Sequence, residues 1–331
     1  MHLHSTWSDG TGTVAQIVAA GQRAGVDVVM LTDHDTLEGM ADEGWHGSVL
    51  LLVGHEVSPP RRDHTLVFGL SSPISNRLPA AEIVTAASEG GGISFAAHPF
   101  SRGSRRFRRL SHGMPHTAVA APGLTGIELW SFVNDTGERI GSLREAARFI
   151  ASPLSVLRHP PLENMVEWDR LCRSRRVVAL GGLDAHQVGV RVRGRVPLRL
   201  MGYARSFRQM RTHVLVASLP SGRLDADRAL VYDALRSGRC YIAVDALAPA
   251  RGFSFSGSGG VVMGDEVPFE GQTLCASVPR PAELRLIRDG SVIAVEHGSA
   301  LTWKPRTAGV YRVDARLRER TWIVSNPIYL R

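Results

Sequence analysis

The feature that most constrains this chain is a repeated junction, in which an apolar run empties into a histidine or a carboxylate. "VDVVMLTDHD" delivers His34, "SVLLLVGHE" Glu56, "GISFAAHPF" His98 and "RVVALGGLDAH" both Asp184 and His186. His64 opens "HTLVFGL", and the chain begins "MHLHSTWSDG", with His2 and His4 two residues apart and Asp9 in the loop that follows. Residues two apart in an extended segment face one side. The opening therefore reads either as a chelating pair or as a ragged, histidine-rich start.

Helical segments separate the apolar runs. Thr13 can cap "VAQIVAAGQRAG", which Gly25 would end, and "PAAEIVTAASEGG", "DTGERIGSLREAARFIA" and "LENMVEWDRLCRS" also read as helices. Helices alternating with continuous apolar strands predict an α/β architecture with a parallel sheet, covered on both faces or closed into a barrel. In such folds the chemistry sits at the carboxyl ends of the strands. From about residue 248 the texture changes to a glycine and serine stretch, "RGFSFSGSGG", followed by short strands from "TLCASV" to "TWIVSNPIYL". Short strands without helical period predict a small β-sandwich. The expected organisation is a barrel over 1–247 and a small all-β domain over 248–331.

Six imidazoles (His2, His4, His34, His64, His98, His186) and three carboxylates (Asp9, Glu56, Asp184) at one rim are too many for one ion. With no thiolates among them, the set suits zinc, manganese or iron. Cys172, Cys240 and Cys275 are widely spaced and odd in number, which argues against a disulfide framework and a thiolate zinc site. His55 should face away from its neighbour Glu56 on an extended strand. His46, His112, His116, His159, His213 and His297 fall in loops, helix edges or the distal strands and carry no site role.

The motifs "HLHSTWSDG", "TDHDT", "GHEVS", "AAHPF" and "LDAH", in this order, resemble those of the polymerase and histidinol phosphatase (PHP) superfamily. The resemblance covers about the first three quarters of the chain. It implies a distorted (β/α)7 barrel with two to three divalent transition-metal ions. His2, His4, Glu56 and Asp184 would hold one ion, Glu56 would bridge to a second on His64 and His98, and Asp9, His34 and His186 would hold the third. Family members usually carry a short strand before the first histidine, whereas only Met1 precedes it here. The first strand is therefore expected to be truncated or to begin upstream. The distal part is similar to a bacterial PHP subgroup that ends in a β domain and includes relatives named after carbamate-ester hydrolases.

The resemblance implies a metal-dependent hydrolase, in first place a phosphoesterase that uses a metal-bridging hydroxide on a small phosphorylated or nucleotide-like substrate. Asp184 would accept a proton, and Arg102 and Arg105 would clamp the anion. The alternatives are carbamate or carboxylic ester hydrolysis on the same metals, and a basic nucleic-acid-binding module with structural metals. The formal charge of +8 favours a small anionic partner, a nucleotide or short oligonucleotide among them. Lys304 is the only lysine, so much of that charge is an arginine bias, concentrated in "RGSRRFRRL" and "RVRGRVPLRL". Each cluster reads equally as a solvated loop or an anion site. No apolar stretch is long enough to span a bilayer and the start lacks a signal-peptide pattern, so a cytoplasmic protein without a membrane partner is expected.

Overall fold

The computed structural model describes residues 1–104, 113–187, 189–192, 195–199 and 201–331. Arg105 and most of the first arginine cluster lie outside these residues, as does His112. Seven strands, β1 (Val28–His34), β2 (Gly44–His46), β3 (Val49–Val57), β4 (Thr65–Phe68), β5 (Ile93–Ala96), β6 (Gly126–Ser131) and β7 (Val178–Gly182), form one sheet. Its order is β1–β3–β4–β5–β6–β7, with β2 paired to β3. Every residue of β3 is buried, as expected of a strand covered on both faces.

The sheet is mixed where a parallel one was expected. β1–β3, β5–β6 and β6–β7 are parallel, but β3–β4 and β4–β5 are antiparallel. The cause lies in the connection from Val57 to Thr65, "SPPRRDH", which is too short for a crossover and can only turn the chain back. The opening residues are built into this sheet. Leu3 makes a parallel bridge to Ala185, its carbonyl accepts from Thr32 N at 2.9 Å, and His4 N donates to Ala185 O at 3.1 Å. Residues 1–4 thus join the β1 edge to the segment leaving β7.

Helix α1 (Val14–Ala24) begins and ends where its caps require. Thr13 and Gln16 form a reciprocal capping box, and Gly25 takes the left-handed conformation at φ 65°. α2 (Ala80–Glu89) follows β4. The single helix expected from Asp135 to Ala151 is two, α3 (Phe132–Arg139) and α4 (Leu143–Ala151), because Ser142 accepts from Glu145 N and caps a new helix. α3 starts directly on the end of β6, which brings Asn134 to the sheet rim. α5 (Leu162–Ser174) packs Trp168 and Leu171 into the core beside Ile127 and Leu129.

The remaining elements are β8 (Gly189–Val192), β9 (Arg195–Arg199), α6 (Tyr203–Phe207), β10 (Arg211–Val214), α7 (Leu224–Arg236), β11 (Cys240–Ala243), β12 (Ser254–Gly257), β13 (Val261–Val262) and β14 (Glu266–Val267), then β15 (Leu274–Arg288), β16 (Ser291–Trp303), β17 (Gly309–Leu317), β18 (Arg320–Ser325) and β19 (Ile328–Leu330). Apart from the β8–β9 pair, these strands are linked in one ten-stranded sheet around a core that includes Phe255, Leu284, Leu286 and Trp322. β11 pairs antiparallel with both β10 and β18, so the hydrogen-bonded sheet runs across residue 248. The stretch "RGFSFSGSGG" also contributes a strand, β12, which pairs with β13 and β15. No helix among the described residues is long and apolar enough to cross a membrane.

Candidate metal centre

All nine expected ligand residues gather at one end of the seven-stranded sheet. Glu56, at the end of β3, is 1% exposed and its two oxygens face different partners. Oε2 lies 3.3 Å from the Nε2 atoms of His2 and His4 and 3.2 Å from His34 Nδ1. Oε1 lies 2.9 Å from His64 Nδ1 and 3.5 Å from His98 Nε2. Asp184 Oδ1 sits 3.3 Å from the same two Nε2 atoms and 3.5 Å from His186 Nδ1. On the solvent side, Asp9 Oδ1 is 3.2 Å from His186 Nε2, 3.6 Å from His34 Nε2 and 3.9 Å from His4 Nδ1.

Local backbone shape sets these positions. His2, His98 and Asp184 have φ of 63°, 31° and 49°, a left-handed region that residues other than glycine seldom occupy. Three such residues in one cluster mark strain that the surrounding fold holds in place. Asp33 fixes the loop that carries Asp9, accepting from Ser5 N and Ser5 Oγ at 2.7 Å and from Ser8 Oγ at 2.6 Å. Gly10 permits the return of that loop, since a Cβ there would lie 2.1 Å from His4 O.

The electrostatics are those of a paired acid and imidazole cluster. Burial alone would raise the Glu56 carboxyl, but His2, His64 and His98 hold it well below the usual carboxylate range. Asp184 is likewise held low against burial, by His2, His186 and His4. His186, which burial would lower, is raised to about 9 by Asp184 and Asp9. His4 moves the other way, to about 4, through burial and the neighbouring His186.

Divalent ions fit this donor set. Both ring nitrogens of His4 and Nδ1 of His98 are buried without a hydrogen-bond partner, a costly state that ligation relieves. Candidate ligand atoms fall into overlapping groups, His2/His4/Glu56, His2/His98/Asp184, His34/Glu56/His64 and His4/Asp9/His34/His186, each lying within 4.8 Å of one another. His2, His4, His34 and Glu56 each belong to two of these groups.

Sequence reasoning missed Glu128, the central residue of β6. Its Oε1 faces His2 Nδ1 at 3.0 Å and its Oε2 accepts from His98 N at 2.8 Å, so one buried carboxylate ties together two ligand-bearing segments. It fits only because residue 182 is glycine, where a Cβ would lie 1.8 Å from Glu128 Oε1. Asn134, also missed, donates to Asp184 Oδ2. The one available signal was a glutamate inside the apolar run "GIELW", since a charge buried in a strand must find partners.

Other positions fall outside the cluster. His55 faces the opposite side, as expected, and its Nε2 accepts from Ile74 N at 3.1 Å. Arg102 is exposed and pairs with Glu163 at 2.6 Å, so its charge is already answered on the surface. His116 is buried with Nε2 3.0 Å from Thr65 Oγ1, and His213 pairs with Asp245 at 3.0 Å.

No protein-family model and no curated protein matches the sequence. Solved structures do. A two-domain protein from Bacteroides vulgatus ATCC 8482, containing a predicted PHP-like metal-dependent phosphoesterase, is 15% identical with a TM-score of 0.46, over 98% of this chain and 93% of its own. A candidate metal-dependent phosphoesterase from Bifidobacterium adolescentis ATCC 15703 is 18% identical with a TM-score of 0.34, over 60% of this chain and 88% of its own. These neighbours are of the kind that the sequence motifs resemble. They add no residue to the cluster described above.

Proposed function

We propose that this protein is a metal-dependent phosphoester hydrolase that holds two to three divalent ions on a distorted β/α barrel closed by its opening residues. The observation that carries the reading is the Glu56 carboxylate, whose two oxygens face two separate groups of imidazoles, the disposition of a bridging ligand. His2, His4 and Asp184 would complete one position with Glu56, His64 and His98 a second, and Asp9, His34 and His186 a third. When bound, such ions lower the pKa of water and neutralise charge growing on the phosphoryl oxygens. Asp184, kept as a carboxylate by its histidine neighbours, would take up the proton lost by the attacking water. Glu128 would hold the His2 ring with Nε2 toward the centre, and Asn134 would orient Asp184.

A panel of mononucleotides, nucleoside bisphosphates, short oligonucleotides, sugar phosphates and aryl carbamates, run with zinc, manganese and iron, tests this reading. Phosphomonoester turnover is expected, and Glu56→Ala should lower it at least about a hundredfold while removing metal, since bridge and charge neutralisation are lost together. Turnover of carbamates alone would move the reaction to carbon on the same centre. Unchanged metal content and turnover in Glu56→Ala would overturn the bridging role.

A further inference from the structure

Beside the His64 and His98 segments lies a cleft of about 1420 Å³ that the ligand set does not use. One wall is the chain leaving His98, with Pro99 and Phe100. Met114 contributes a second side, and Leu162 and Val166 of α5 a third. Leu162 and Val166 are 77% and 56% exposed and stand one helical turn apart, and they face the opening beside Glu163 and Glu167 of the same helix, Glu163 being paired with Arg102 at 2.6 Å. A water-facing helix surface ordinarily carries polar residues there. Arg61, three residues before His64, also lines the cleft, is exposed, and has no ion-pair partner among the described residues. Its charge lines the same cleft as these apolar side chains and is three residues in sequence from a ligand.

A space of this size is several times what a phosphoryl group or a small sugar phosphate fills, and falls at or beyond the upper range of small-molecule sites. Exposed apolar side chains grouped in a concave site mark a surface that binds something. We propose that this cleft receives the organic part of the substrate, and that the substrate is an anionic monoester of a bulky, largely apolar alcohol. The inference rests on the hydrolase reading above in taking the ester group to the metal centre. Arg61 contacts the anionic head from the cleft side, and Leu162 and Val166 lie along the hydrocarbon.

Calorimetric titration of the metal-loaded protein with methyl-, butyl- and octylphosphonate tests this without turnover. A buried methylene contributes about 0.8 kcal/mol, about fourfold in affinity, so octylphosphonate should bind at least about tenfold more tightly than methylphosphonate even with partial burial. The double variant Leu162→Gln with Val166→Gln, which adds no charge, should flatten the series by lowering octylphosphonate affinity toward that of methylphosphonate, and it should fold, because both side chains face water. Arg61→Ala should weaken every member by a common factor. A flat series in the unmodified protein overturns the inference, as does methylenebisphosphonate binding more tightly than octylphosphonate with the double variant silent. An enzyme that turns over phosphomonoesters yet shows a flat series refutes the cleft alone. A steep series in a protein inactive on every phosphoester refutes the reaction alone.

Discussion

Glu128 shows how a residue that need not touch a metal can govern the site. Its two oxygens are committed to His2 Nδ1 and His98 N, and an amide in its place could accept only one of these contacts. Glu128→Gln should lower metal affinity by about 10- to 100-fold, the usual cost of losing an outer partner of a ligand. Competition against a calibrated chelator measures this, and unchanged affinity would remove Glu128 from the positioning role. Proton linkage gives a second prediction. His186 is raised to about 9 in the metal-free protein by Asp184 and Asp9, which outweigh the downward effect of burial, so below that pH an ion must displace its proton. Metal binding at pH 7 should therefore release protons into weakly buffered solution, and apparent affinity should fall as pH falls. Without metal, a histidine raised from 6.5 to about 9 contributes stability that is fully present below pH 6.5 and lost as pH rises through about 9. Chelated protein should lose melting temperature over that window. The clustering of His34, Glu56, His64, His98, Asp184 and His186 was legible because each ends or opens an apolar run, and that of His2, His4 and Asp9 because the opening motif carries them together. Glu128 was not, because its partners lie 126 and 30 residues away.

Among the elements, the opening strip has the most to lose. Residues 1–4 bridge β1 and the segment beyond β7 through backbone hydrogen bonds, and the same four residues carry two imidazoles into the cluster. Its order and its ligands are therefore linked. Chelation should raise amide hydrogen exchange within residues 1–12 selectively, leaving the fully buried β3 protected. Equal exchange with and without metal would mean that hydrogen bonds alone hold the strip. α1 was readable in advance from its punctuation by Thr13 and Gly25, and the turn at Asp289 and Gly290 has φ of 52° and 89°, which suit a tight hairpin. Strand direction was not readable in advance. The reversal at β4 depends on where a short connection lands, and the short strand expected at "TLCASV" runs on into the 15 residues of β15, whose register slips between Ser277 and Ala282, around Pro279 and Pro281.

At the scale of the whole molecule, the distal strands brace the seven-stranded sheet through a few buried polar contacts. Asn326 Oδ1 accepts from Ala179 N at 2.8 Å, while its Nδ2 donates to Ala179 O at 3.0 Å and Cys240 O at 2.9 Å, completing the backbone of β7 and β11 together. Arg312 grips Asp169 on α5 with two bonds of 3.0 Å and lies over Trp168. Asn326→Leu would remove the side-chain partner of Ala179 N and Ala179 O, while Cys240 O keeps the backbone N–H of residue 326, and should cost about 2–4 kcal/mol in urea unfolding. Metal stoichiometry should be unchanged, because no ligand moves. These contacts were illegible in advance, since they join residues some 86 to 147 positions apart by shape rather than by motif. The shared sheet also bears on ancestry. β11 is completed on one side by β10 and on the other by β18, so a gene cut near residue 248 would hand each descendant an open strand edge, the starting point of clumping.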